Sequence, residues 1–211
     1  YNTIKIKQPK FFIAENVKGI LSLGNGEAIK QIVSDFEVAG YITSVNLVNM
    51  ADYGVPQTRQ RVIIIGQRVD LGEKLRFKFP QPTHSKNSEL PHWVSIREAI
   101  DHFPDPDKDN DVLNHIYSAY KVEYRNFTGH RETDPDKPSP TVLARGNGKG
   151  GVCAIPHYNG KRRLTIRESA SVQTFPEDFH FVGTMNSCYR QIGNAVPVLF
   201  ARKLGDELMR L

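Results

Sequence analysis

Short apolar runs and one long amphipathic stretch alternate along the first third of the chain. Residues 11–14 read FFIA and predict a short buried strand that ends at Glu15-Asn16. In GEAIKQIVSDFEVAG (26–40), Ile29, Ile32, Val33 and Phe36 recur at helical spacing and Gly40 marks the stop. YITSVNLVNM (41–50) predicts a second strand. A turn containing Tyr53, Gly54 and Pro56 then leads into a third, VIIIG, at 62–66. Strand–helix–strand with continuous apolar strands predicts an α/β sheet covered on both faces.

The texture changes at Phe79. FPQPTHSKNSELPHW and FPDPDKDND are rich in Pro and Asp and predict loops, and WVSIREAI (93–100) predicts one short helix. Few long periodic segments occur before about residue 165. RLTIRESASVQTFP (163–176) restarts a helical pattern. In the tail, Val198, Ala201, Leu204, Leu208 and Leu211 recur every three or four residues. Pro197 suits a first helical turn, and this last helix is expected to return onto the α/β layer. The chain shows no internal repeat.

At 211 residues, with 39% hydrophobic and 24% charged positions, the chain has room for a real core. No apolar run approaches the ~20 residues that span a bilayer, and no signal peptide is visible, so a cytoplasmic location is expected. The chain opens on Tyr1 and reads as part of something longer. Its two cysteines, Cys153 and Cys188, form no CxxC pair or metal spacing and read as reduced thiols; no metal site is expected.

The formal charge of +5 is unevenly spread. From Lys137 to Arg167 there is no carboxylate, yet Lys137, Arg145, Lys149, Lys161, Arg162, Arg163 and Arg167 supply seven positive charges. A basic, Gly-rich segment points to a polyanion, most often nucleic acid, against the alternative of a solvated basic surface. Glu98, Asp101, Asp105, Asp107, Asp109 and Asp111 form an acidic stretch upstream.

Four groups could carry chemistry. Glu15, at the carboxyl end of a strand, stands where open α/β sheets place ligand groups, and beside apolar residues it could act as an acid; alternatively it caps the next turn. Gln57, Arg59 and Arg61 are spaced by two at the mouth of the third strand and are expected on one side of it. Their planar donors suit a phosphate, a carboxylate or the carbonyl edge of a base; the alternative is surface salt bridges. GNAVP (193–197) predicts a Gly-Asn turn before a helix whose first N–H groups are free. LARGNGKGG (143–151) is no Walker loop, and reads either as a loop laid against DNA or RNA or as a hairpin tip.

The order of these signals is far more specific than any one of them. AENV, YGVPQTRQRVIIIG, a loop-rich stretch, PSPTV, RRLTIRESASVQTFPEDF and YRQIGNAVP follow one another as in the carboxyl half of cytosine-5 DNA methyltransferases, which the chain closely resembles over nearly its whole length. The resemblance implies a partial Rossmann-like methyltransferase sheet, in an α/β fold, with an inserted loop-rich and mainly β target recognition domain. Residues 1–79 then belong to the catalytic domain, 80–175 to target recognition, and 176–211 to a hinge and terminal helix. It implies S-adenosylmethionine as cofactor and duplex DNA with a flipped cytosine as substrate, in a bacterial restriction–modification setting. By resemblance Glu15, with Asn16 beside it, holds ring nitrogen 3 and the exocyclic amine of the base, and Arg61 and Arg59 contact its carbonyl and nearby backbone. Asn194, Ala195 and Val196 flank the methionine end of the cofactor. Gln57, Thr141, Val142, Arg145, Gly146, Asn147 and Lys149 contact DNA.

The family's nucleophilic cysteine follows a proline upstream of ENV. Nothing upstream of Glu15 is a cysteine, Cys153 follows Val152, and Cys188 follows Ser187. The Gly-rich cofactor motif is also absent. The chain is therefore expected to need a missing amino-terminal half and to be inactive alone, with an exposed sheet edge where that half belongs. The alternatives are a non-catalytic DNA-binding module and an RNA cytosine methyltransferase relative.

Overall fold

The computed structural model describes residues 1–72, 76–87, 89–119, 132–144 and 155–211. The chain forms two compact units. One comprises Tyr1–Asn49, Gln60–Gln81 and Leu204–Leu211; the other comprises Met50–Arg59 and Pro82–Lys203.

The first unit is a three-stranded sheet. Helix α1 (Asn2–Lys7) precedes β1 (Phe11–Val17), two 3-10 turns lead to α2 (Glu27–Val38), and β2 (Tyr41–Asn49) and β3 (Gln60–Arg68) complete it. The strand order is β1-β3-β2, and β3 runs antiparallel to both neighbours. Only this central strand is buried on both faces, from Val62 to Ile65. That corrects the expectation of a sheet covered throughout. β1 and β2 are edges, and Ile13 is 40%, Val17 55% and Ile42 53% exposed. β1 is also longer than FFIA, so Glu15 and Asn16 lie within it.

One face of the sheet is packed by α1 and α2. Phe12, Phe36, Tyr41, Val62 and Ile64 form a buried cluster, joined by Ile29 and Ile32 of α2 and Ile4 of α1. Phe12 lies opposite Gly66 in the β1–β3 register. A Cβ at Gly66 would fall 1.9 Å from Phe12 Cε1. Gly66→Ala is therefore expected to cost about 1–3 kcal/mol through overpacking, read as a lower urea midpoint at unchanged slope. An unchanged midpoint would mean that the Phe12 ring is not held over β3.

The second unit has another architecture. Short helices α3 (Ile96–Ile100) and α4 (Ile166–Val172) each start with a capping box, Ser95/Glu98 and Thr165/Glu168. α5 (Met185–Asn194) follows, and α6 (Val198–Met209) begins in this unit, its residues from Leu204 onward belonging to the first. Ile96, Ile100, Leu164, Ile166, Val172, Phe181, Tyr189 and Ile192 are among the residues of its core. The described residues of 80–175 contain isolated bridges, such as Ser85↔His92 and Pro156↔Arg163, but no longer strand. The mainly β character expected there is thus not found in them. Side chains take over amides that a ladder would use: Asp105, Asn110 and Asp134 each accept from the amide two residues on. α5 corrects the reading of GNAVP, since Gly193-Asn194 closes one helix rather than forming a turn before the next.

Candidate catalytic and nucleic-acid site

In the first unit, Glu15 lies opposite Ile63, and Arg61 lies opposite Val17, two residues along the same face. This diagonal brings the side chains together, with Arg61 Nε 2.7 Å from Glu15 Oε1. The Glu15 side chain is 29% exposed and that of Arg61 13%, so both are partly accessible. Asn16 is exposed and its Oδ1 accepts from the Val17 amide at 2.8 Å. The arrangement offers a carboxylate acceptor and a guanidinium donor side by side, the two functions needed to grip a ring with adjacent donor and acceptor edges.

The other two members of the strand-mouth triplet go elsewhere. β3 starts at Gln60, and residues before it pair with 139–141 inside the second unit: Thr58 N donates to Ser139 O at 2.9 Å, and Thr141 Oγ1 to Thr58 O at 2.9 Å. Gln57 is fully buried. Its Nε2 donates to Gln173 Oε1 at 2.8 Å, and its Oε1 accepts from the Val142 amide at 2.9 Å. Arg59, also buried, donates to Val142 O at 3.0 Å and to Gly193 O at 3.1 Å. Both head groups are engaged by protein here, whereas the resemblance sets Gln57 against DNA and Arg59 against the base carbonyl and nearby backbone.

The basic run is corrected likewise. Arg163 is 2% exposed and Arg167 0%. Arg167 donates to the carbonyls of Leu113, Pro176 and Phe179 and so ties the loop after α4 to residue 113. Arg162 forms a two-pronged pair with Glu168, both contacts at 2.7 Å. His157 Nε2 lies 4.0 Å from the same carboxylate, and burial, followed by the charge of Arg162, lowers its pKa. These arginines are internal supports. Lys137 is exposed and pairs with Asp134 at 2.6 Å.

Thr141 is half-buried, Val142 buried, Asn194 exposed, and Ala195 and Val196 half-buried between α5 and α6. Arg145, Gly146, Asn147 and Lys149, expected on DNA, lie outside the described residues, as does Cys153. Cys188 sits in the core of α5 at 2% exposure, and burial raises the pKa of its thiol. That is the reverse of what a nucleophile needs. Gln173 was not among the expected site residues, although the Gln of RESASVQTFP stands just where α4 ends. Its Nε2 donates to Ile192 O at 2.6 Å and Ala195 O at 3.2 Å.

The chain is similar to known proteins in sequence and in fold. The family described as C-5 cytosine-specific DNA methylase matches residues 1–210. The type II methyltransferase M.NgoFVII of Neisseria gonorrhoeae is 38% identical over 217 residues, covering 92% of this chain and 57% of the relative. M.BsuRI of Bacillus subtilis is 36% identical, covering 95% of this chain and 50% of the relative. The chain thus spans about half the length of these relatives. Among solved structures, a putative DNA modification methyltransferase encoded within an Escherichia coli prophage superposes with a TM-score of 0.73 at 22% identity, over 99% of this chain and 71% of that one. The S. pombe Dnmt2 methyltransferase gives 0.64 at 17% identity, over 96% of this chain and 67% of that one. At these identities the superpositions establish the mixed α/β fold.

Proposed function

Because the chain belongs to the C-5 cytosine-specific DNA methylase family, whose members take their methyl group from S-adenosylmethionine, we propose that it supplies target recognition and part of the flipped-cytosine pocket of a type II DNA cytosine-5 methyltransferase. The observation that carries this reading is the Glu15–Arg61 pair, 2.7 Å apart on one face of the sheet. Glu15 accepts from the exocyclic amine and shares a proton with ring nitrogen 3 of the base, and Arg61 donates to the carbonyl oxygen beside them. Holding these edges offsets the charge that develops in the ring when a thiolate adds to carbon 6.

Asn194–Val196 take the methionine end of S-adenosylmethionine, which supplies the methyl group when bound. The nucleophile comes from the amino-terminal half, since Cys188 is buried in a core and neither cysteine follows a proline. The chain by itself is inactive. The exposed Ile13 and Val17 of edge strand β1 suit that half as a partner.

The segment LARGNGKGG (143–151), opened by Thr141 and Val142, reads the DNA, with Arg145 as its specific contact. Arg145→Ala is expected to reduce discrimination between target and non-target duplexes by about 1–3 kcal/mol, roughly 5- to 150-fold. Competition binding over a panel of duplex sequences measures it. An equal loss on every duplex would make Arg145 a phosphate contact. A marked preference of the unsubstituted chain for structured RNA over every duplex would overturn the assignment of DNA as substrate.

A further inference from the structure

We infer that the buried amide of Gln173 is a positioning group that locks the root of the DNA-reading loop to the link between α5 and α6. The inference rests on the reading above, in which residues 194–196 meet the cofactor and residues 143–151 meet DNA, and adds how the two are joined.

Three connections run between Val142–Ala144 and Ile192–Ala195. The first is a relay of amides: Gln173 Nε2 donates to Ile192 O and Ala195 O, Gln173 Oε1 accepts from Gln57 Nε2, and Gln57 Oε1 accepts from the Val142 amide. Both glutamines are 0% exposed. Each bond therefore fixes the orientation of the next amide, and no water stands ready to replace a lost partner. The second is Arg59, whose two terminal nitrogens hold Val142 O and Gly193 O. The third is backbone contact: a Cβ at Gly193 would lie 2.4 Å from Leu143 C and 2.5 Å from Ala144 N.

Gln173 also controls the start of α6. Its carbonyl accepts from the Val198 amide at 3.1 Å, while Oγ1 of the next residue, Thr174, accepts from the Leu199 amide at 2.9 Å. The side chain thus grips the carbonyl at the near end of the 195–197 link, and the backbone grips the amide at its far end. A ligand that stiffens residues 194–196 stiffens Val142, and the reverse holds by linkage. Gln57 and Arg59, placed on DNA and base by their motif, act through this brace.

The test compares duplex affinity with and without S-adenosylhomocysteine in the methyltransferase assembled from this chain and its Pro-Cys segment. The cofactor product is expected to tighten duplex binding about 5- to 150-fold in the unsubstituted protein. In Gln173→Leu, binding of each ligand alone persists and this ratio falls to within about twofold of unity. A ratio unchanged in the variant overturns the inference. Hydrogen exchange on the unsubstituted protein gives a readout independent of how the variant folds: S-adenosylhomocysteine is expected to slow the Val142 amide, and unchanged exchange there overturns the inference alone. A protein that binds duplex but no S-adenosylhomocysteine overturns the cofactor assignment and this inference with it.

Discussion

Replacing Glu15 by Gln is expected to slow methyl transfer by about two to four orders of magnitude while leaving duplex affinity within about twofold. The substitution keeps the size of the side chain and an oxygen for Arg61, whose Nε lies 2.7 Å from the carboxylate. It removes the negative charge and turns one acceptor into a donor, which then faces a donating exocyclic amine. Binding of the duplex rests mainly on phosphate contacts and is little affected. In the proposed reading, attack on carbon 6 then loses the group that neutralises the ring as charge builds. Single-turnover transfer and duplex affinity, both measured on the enzyme assembled from this chain and its Pro-Cys segment, separate the two effects. Turnover equal to that of the unsubstituted protein would remove Glu15 from the chemistry.

The second large effect concerns folding. Glu168→Ala is expected to lower the stability of the second unit by about 3–5 kcal/mol. The Glu168 side chain is 2% exposed and takes both prongs of Arg162, itself 10% exposed. It also accepts from the Thr165 amide at 2.8 Å and so closes the capping box of α4. Truncation leaves a mostly buried guanidinium without its counter-charge and the helix start without one partner, the latter alone worth about 0.5–2 kcal/mol. Equilibrium denaturation with urea reads the loss. A decrease below about 1 kcal/mol would show that water or a neighbouring group compensates Arg162.

Glu15 and Arg61 could be found in the chain because a strand alternates, and the diagonal pairing then follows from register. α2 was legible to within a residue at its start, from Ile29, Ile32 and Phe36. Three things were hidden. The apolar run Val62–Ile65 announces a buried strand but not its direction, and here β3 runs antiparallel between two edges. Arg163 and Arg167 look like basic surface in sequence, and only the tertiary fold shows Arg167 capping three carbonyls. α5 reads as polar, MNSCYRQIGN, although Cys188 and Ile192 lie one turn apart on its buried side. Gln57 and Arg59 do not share a strand face with Arg61, because strand alternation does not carry back past Gln60, into a segment that pairs with Ser139.

In the function proposed above, this chain is the base-holding and target-reading part of a methyltransferase whose nucleophile lies elsewhere. Tritium transfer from labelled S-adenosylmethionine to cytosine-containing duplex DNA tests it most directly, with the chain alone and then mixed with a separately expressed amino-terminal segment carrying the Pro-Cys motif. Transfer in the mixture, and none from the chain alone, is the predicted result. Transfer by the chain alone, or silence from a folded mixture that still binds duplex DNA, would contradict it.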